Sequence, residues 1–537
     1  MKNFKRHLKI FAIPFFLIAS FSLFIIVSSF SLDKILNKIN IEHLPLLSNN
    51  SNELLNALSS SNEVIIAVLA LLITVAAIIV ELAATRYSSR IIDLFIEDKF
   101  NLTILTYFII LNIHSLWIYY FAGNSLNIPY SALINTVLLT IGFILVMPYF
   151  AYLFQFLKPD NVISKIKENI LKNLSQAKST NIKKRKLKTL KNDISLAIEQ
   201  ISDIALKSIE NKDSSIGIKA ILTLKEIATN FLEIKDNIID SFFKIETYEY
   251  DQPDYVTLSD KVRTKIYHQH ITFENKILKH YALIFSHSVN NIRDFTNMIA
   301  MSTRAIGIKA IQIKDINVIN LIIKYFNTYL RTSLNHKDIR TAYNLLYQYK
   351  LFTIAVLNSE YSNIVANIVT YFKYYGLLFY QQKLGFILET VAHDICDICI
   401  EARKANWDNF EDILAIFLTV DQPSEEGLEE DKSLRGVRKA QIKLAVYLLY
   451  INDIASTKII VYDMIEEPLK RIESICNELM RTKEEFWEII DRGSNFDYIP
   501  EEWKNQIPKF IQIFKEFEKS QLKKAIIKKK NNNSNPK

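Results

Sequence analysis

The sequence predicts an all-α membrane protein, with four transmembrane helices followed by a large helical cytoplasmic domain. Three observations carry that expectation. Apolar runs long enough to cross a bilayer, about 20 residues each, are confined to the region before Lys158, whereas most of the 65 Lys and Arg and 57 Asp and Glu follow it. A mean hydropathy of +0.10 therefore averages two different compositions. Only Pro253 lies between Pro159 and Pro423, so a long stretch lacks the residue that most reliably ends a helix. Basic residues also alternate in position relative to the apolar runs, as the retention of Lys and Arg on the cytoplasmic side requires.

The first run, Ile10 to Phe30, follows Lys2, Lys5, Arg6 and Lys9. A signal peptide begins in the same way, but its apolar core is only about 7–15 residues long, so this run reads as a retained first span. The second, Val64 to Ala84, is apolar until Glu81. No Asp, Glu, Lys or Arg occurs from Phe100 to Leu157, which accommodates spans at Thr103 to Phe121 and Ser131 to Leu157. Gly123, Asn124 and Pro129 form the turn between them, and Pro148 marks a kink. The loop from Ser31 to Glu63 holds two Lys against Asp33, Glu42, Glu53 and Glu63, whereas Arg86, Arg90 and Lys99 follow the second span and Lys158 opens a basic stretch. Both termini are therefore expected in the cytoplasm.

The remaining chain divides by composition. Residues 1–160 form the four-helix region, 161–235 a basic and helical juxtamembrane segment, and 236–420 a helical domain. An acidic loop at 421–436, containing PSEEGLEEDKS, precedes a helical segment at 437–520 and a basic tail at 521–537 expected to be disordered. Apolar, Tyr-rich stretches at helical spacing include Asn317 to Leu330, Thr341 to Leu357 and Tyr361 to Tyr375. They show no fixed repeat period.

Several functional classes are disfavoured. The nine glycines are never closer than nine positions, as at Gly376 and Gly385, which excludes a Gly-rich phosphate cradle or a nucleophile elbow. Cys396, Cys399 and Cys476 all fall in the expected cytosolic part, where thiols stay reduced. His393, Asp394, Cys396, Asp397 and Cys399 occur in HDICDIC, but a second Cys/His pair is missing, and zinc commonly takes four ligands. His268, His270, His280 and His287 show no metal-motif spacing. No metal, cofactor or catalytic set is therefore expected. The net charge of +8 suits a basic cytosolic face and calls for no nucleic acid.

The segment Val80 to Lys99, VELAATRYSSRIIDLFIEDK, resembles the corresponding junction in the uncharacterised bacterial family of predicted membrane proteins catalogued as domain of unknown function 2254. Leu82, Ala83, Ser88, Arg90, Phe95 and Asp98 fall on matching positions, while Glu81 and Arg86 replace glutamines and Ser89 a proline. A second stretch, Asp193 to Ser208, matches at Gln200, Asp203, Ile204, Ala205 and Leu206; an Asn-Asp-Pro element of the family would fall near Lys212, Asp213 and Ser214 and matches poorly. The resemblance covers Lys2 to Ile234 and implies a bacterial inner membrane, with no established activity.

The candidate residues concentrate where the second span ends. Arg86, Arg90, Asp93 and Glu97 recur at i, i+4, i+7 and i+11, one stripe of a continuing helix. One reading is a solvated interfacial elbow. The other places Glu81, costly in hydrocarbon unless it faces the bundle or water, with Arg86 and Arg90 at the mouth of an ion path that Asn112 and His114 extend. The basic run Lys183, Lys184, Arg185, Lys186, Lys188 and Lys191 offers contact with anionic lipid or a solvated helix face. Two functions compete: a channel-like homo-oligomer gated by its cytoplasmic helical domain, and a non-conducting scaffold or sensor presenting that domain to a cytosolic protein. An enzyme is not expected.

Overall fold

A computed structural model describes residues 2–38, 51–86, 91–96, 98–123, 128–156, 158–178, 182–421, 434–486, 492–493 and 495–533. These residues contain helices and no strand. The chain divides into two compact units, Met1–Ile166 and Lys167–Lys537.

The first unit contains α1 (Lys2–Lys38), α2 (Ser51–Arg86), the short α3 (Ile91–Ile96), α4 (Lys99–Gly123) and α5 (Pro129–Phe156); α6 (Pro159–Gln176) starts in it and ends in the second unit. Four segments are long and apolar enough to cross a membrane: Ile18–Ile35, Leu55–Thr85, Lys99–Ala122 and Tyr130–Phe156. Helix α4 packs against α1, α2 and α5. Leu58, Ile118, Ile128 and Ala132 form one core cluster, with Phe30 set edge-on to Phe121 at 4.5 Å. Phe24, Ile78, Ile144, Met147 and Phe154 stay exposed, as expected of a surface whose solvent is lipid.

The boundaries correct the sequence reading at one place. The expected loop from Ser31 to Glu63 is helical at both ends, because α1 runs on to Lys38 and α2 starts at Ser51. Asp33 is thus a helix residue, and it is 3% exposed. Its carboxylate has found a partner within the unit, described below.

In the second unit, helices pair and the pairs stack. The elements are α7 (Lys184–Glu210), α8 (Ser214–Ile234), the short α9 (Asp240–Phe243) and α10 (Asp260–His268), α11 (Thr272–Ser288), α12 (Arg293–Gln312), α13 (Ile316–Asn335) and α14 (Ile339–Leu357). They continue with α15 (Val365–Gln381), α16 (Gly385–Lys404), α17 (Phe410–Leu418), α18 (Arg435–Tyr450), α19 (Ile454–Asp463), α20 (Leu469–Arg481), α21 (Glu501–Lys504) and α22 (Ile507–Asn533). First helices α7, α11, α13, α15 and α17 touch in succession; second helices α8, α12, α14, α16 and α18 do the same. The result is a two-layered stack of helix pairs, the arrangement of an α-solenoid.

A period does exist, contrary to the sequence reading. Helices α12, α14 and α16 begin at Arg293, Ile339 and Gly385, 46 residues apart each time, within the range of helical-pair repeats. The repeats share burial register rather than residue identity. Aromatic packing fills the space between layers: Phe285 on Tyr329 at 4.8 Å, Phe326 on Tyr349 at 4.6 Å and Tyr349 against Phe372 at 4.8 Å. Helix α22 extends through Lys523 to Lys530 of the basic tail. Its Lys, Gln, Ala and Ile residues lack a helix breaker.

Four corners of the stack share one chemistry. Lys212, Lys314, Lys337 and Asn452 adopt positive φ, and each precedes an Asp that caps the next helix. Asp213 accepts from the Ile216 amide, Asp315 from those of Asn317 and Val318, Asp338 from Thr341 and Asp453 from Ser456. Such caps stabilise a helix by about 1 kcal/mol each.

Glycine permits the closest approach between second helices. A Cβ on Gly217 would lie 1.8 Å from Phe295, and one on Gly307 2.5 Å from Phe352. At an unconstrained helix position Gly→Ala stabilises by roughly 0.5–1 kcal/mol, whereas overpacking a core costs about 1–3 kcal/mol. Gly217→Ala is therefore expected to lower the apparent Tm of the purified full-length protein in detergent; an unchanged or raised Tm would show that α8 and α12 are not packed this closely.

Candidate functional site

The end of the membrane unit that contains α3 gathers polar groups from four elements. Asp98 precedes α4 and accepts from the Asn101 amide at 3.1 Å, so it caps that helix. The same carboxylate takes the Tyr152 hydroxyl of α5 at 2.5 Å and the Lys165 ammonium of α6 at 2.8 Å. Asn101 then donates to the Phe95 carbonyl of α3 at 3.2 Å and accepts from the Tyr149 hydroxyl at 2.7 Å. Lys165 Nζ lies 4.3 Å from the Phe156 ring centre. Burial pushes the Asp98 carboxyl upward, but the hydrogen bonds from Lys165 and Tyr152 outweigh it and hold the group below its ordinary value. The arrangement is a latch tying α3, α4, α5 and α6 through one ionised carboxylate.

Two further polar contacts lie toward the opposite end of the unit, where α5 starts. Asp33 of α1 accepts from the Tyr130 and Ser131 amides at 2.9 and 3.0 Å, and from the Ser131 hydroxyl, capping the start of α5 from another helix. This offsets both the buried charge and the open amides of that helix end. His114 Nδ1 lies 3.3 Å from Asn135 Oδ1, and Asn135 donates to Ser115 at 3.1 Å. That pattern places the proton on His114 Nδ1, as assigned from the network.

The sequence candidates distribute unevenly. Glu81 is exposed on α2 and lines an open groove of about 540 Å³ with Ala77, Val80, Ala84, Thr85 and Ile92. Arg86 ends α2, but its side chain, all of Arg90 and Glu97, and the Asp93 side chain lie outside the described residues, so the expected charged stripe does too. Asn112 donates to the Phe108 carbonyl of its own helix at 2.8 Å. His114 is fully buried. Glu81 lies five residues from the end of α2 and His114 fifteen from the start of α4, a difference in depth of roughly 15 Å at about 1.5 Å per residue. Among the described path residues, Glu81 therefore lies nearer the helix end and His114 deeper in the unit.

Lys183, Lys184, Arg185 and Lys186 are exposed at the start of α7, whose first turn has no acid. Lys188 departs from this basic face, with Nζ 3.3 Å from the Tyr248 ring centre. Lys191 is buried, paired with Glu249 at 2.8 Å and bonded to the Lys244 carbonyl at 2.5 Å.

HDICDIC lies on α16, where Cys396 and Cys399 are fully buried and burial pushes the Cys396 thiol up to about 12. Asp397 sits 2.7 Å from Lys350 and 3.6 Å from Lys443, and His393 3.2 Å from Asp497. Among the described residues no group of three or more His, Cys, Asp and Glu could hold a metal ion. Asp394, next to His393, pairs instead with Arg492 at 2.6 Å. Sequence reasoning missed Arg492, because its partner lies 98 positions away. Asp98 was visible only as a position of family resemblance.

Asp98→Ala removes the cap and leaves Lys165 and Tyr152 without their acceptor, so a loss of about 2–4 kcal/mol is expected. Asp98→Asn keeps a capping oxygen and should lose less. The depressed folded value also means that the native contribution is intact above the ordinary carboxylate range and fades as pH falls through the depressed value. Unfolding of the purified protein in detergent at pH 7 checks the order; equal loss in both variants would exclude a capping role.

No curated protein and no solved structure matches the chain. A family does match part of it, across α1 to α6 and the first residues of α7, and therefore across the Asp98 latch and the basic face. Over residues 8–190 this chain is similar to the family described as Predicted membrane protein (DUF2254), and its N-terminal part is that of a membrane protein.

Proposed function

We propose that the chain is a membrane-anchored scaffold whose helical stack receives a protein partner on the cytoplasmic side of a bacterial inner membrane. The observation that carries this reading is the two-layered stack with its 46-residue period. Stacked helix pairs make extended surfaces whose stability comes from neighbour contacts, which leaves their faces free for recognition. Both termini lie in the cytoplasm in this reading, and Lys183, Lys184, Arg185 and Lys186 face anionic headgroups, each charge contributing about 1 kcal/mol of attraction near such a surface. The chain has no catalytic role in it.

A second reading, a channel-like homo-oligomer gated by the stack, is favoured by Glu81. An exposed carboxylate on a membrane helix calls for water or another protein surface, and a second copy at the Ala77, Ala84 and Thr85 groove would supply one. The scaffold reading ranks first because Asp33, Asn112 and Asn135 bond within the unit.

Photo-crosslinking in intact cells separates protein contact from lipid contact. A photoreactive residue at exposed Met301 of α12 or Tyr371 of α15 is expected to give a discrete protein adduct, and one at exposed Met147 of α5 is not. Absence of adducts from both stack positions would count against the scaffold.

A further inference from the structure

The second-helix layer is not bare at its far end. Arg492 and the segment Asn495–Trp503 lie across α14, α16 and α18, and side chains rather than a ladder of backbone bonds hold them there. The Arg492 side chain is 5% exposed; it grips Asp394 of α16 at 2.6 and 3.2 Å, donates to the Tyr343 carbonyl of α14 at 2.6 Å, and stacks 4.1 Å from the Tyr343 ring. Four residues on, Phe496 packs on the His393 ring at 4.5 Å while its carbonyl accepts from Lys443 of α18 at 3.0 Å. Asp497 takes Lys439 at 2.7 Å, Ile499 is fully buried, and Trp503 lies against Tyr447 at 4.8 Å. A guanidinium slot, an aromatic slot and a cationic slot succeed one another along chain that turns at Asn495–Tyr498, where the Tyr498 amide donates to the Asn495 carbonyl at 3.0 Å.

The seam is imperfectly satisfied. Arg492 Nε, both His393 ring nitrogens, Asp497 Oδ1 and Trp503 Nε1 are buried without an aligned hydrogen bond. Beside the segment lies a cavity of about 390 Å³ whose lining includes Tyr347, Lys350, Asp397, Lys443, Tyr498 and Trp503. A tethered segment tolerates such a fit, because tethering gives it an effective concentration of roughly millimolar order. A free peptide with the same anchors and better hydrogen bonding competes with it.

We propose that this seam is the peptide-binding groove of the stack and that Arg492 and Asn495–Trp503 occupy it in cis. The partner it fits is a non-helical, turn-forming protein segment with an arginine, an aromatic residue four positions later and an acid directly after that. The assignment rests on the scaffold reading and names the surface that reading uses.

The test uses the purified full-length protein in nanodiscs and a fluorescent peptide with the sequence of residues 492–503, followed by anisotropy. Opening the groove with Arg492→Ala and Phe496→Ala together should tighten peptide binding at least tenfold over the native protein, and replacing the peptide's arginine by alanine should reverse that gain. Equal binding to the native and opened proteins, or none to either, would overturn the proposal. Should the double variant not fold, hydrogen exchange of the native protein decides: excess peptide must raise deuterium uptake at residues 495–503, and unchanged uptake overturns it. A partner crosslinked only to the first-helix layer would sink this groove while leaving the scaffold reading standing.

Discussion

A carboxylate set at the amino end of a helix is the interaction on which both units depend. Helix amides at that end have no partner of their own, and an acid nearby answers both the open donors and the helix dipole. In the stack the acid comes from the residue just before the helix, at Asp213, Asp315, Asp338 and Asp453. In the membrane unit the same device also works across helices, since Asp33 of α1 caps α5 and Asp98 caps α4 while holding α5 and α6. Where no water is present, an unpaired amide or carboxylate costs several kcal/mol. Asp33 and Asp98 are thereby given structural partners before any role in transport is considered.

The stack extends this logic from single corners to a surface. Each corner fixes where one helix stops and the next starts, and Gly217 and Gly307 let successive second helices close on Phe295 and Phe352. Buried ion pairs then tie successive elements: Lys235 bridges Glu274 and the capping Asp315 at 2.7 and 2.6 Å, and Lys350 of α14 reaches Asp394 and Asp397 of α16. Breaking one partner of such a pair leaves a buried charge uncompensated. These contacts keep the layers in register and favour a rigid platform over a domain that rearranges internally.

Much of the architecture was legible because apolar length and charge placement are local signals. The four spans and the absence of strands follow from runs such as Val64 to Ala84 and from the rarity of proline after Pro159. Asp33 reads as a loop acid from the sequence alone because its partners lie 97 and 98 positions away. The 46-residue period is not legible in residue identity, because α12, α14 and α16 share buried positions and not residues. Within the basic run, exposed Lys188 stacks on Tyr248 and Lys191 is buried against Glu249, placements that only tertiary packing decides. Glu81 remains the one path candidate left exposed, among those whose side chains are described.

The proposed scaffold requires a membrane unit that anchors the stack without conducting. Ion flux across liposomes containing the purified full-length protein, under voltage and under osmotic stress, tests it most directly. Flux no greater than that of protein-free liposomes agrees with the account. A protein-dependent current that Glu81→Ala abolishes would contradict it and make the groove beside α2 the wall of a pore.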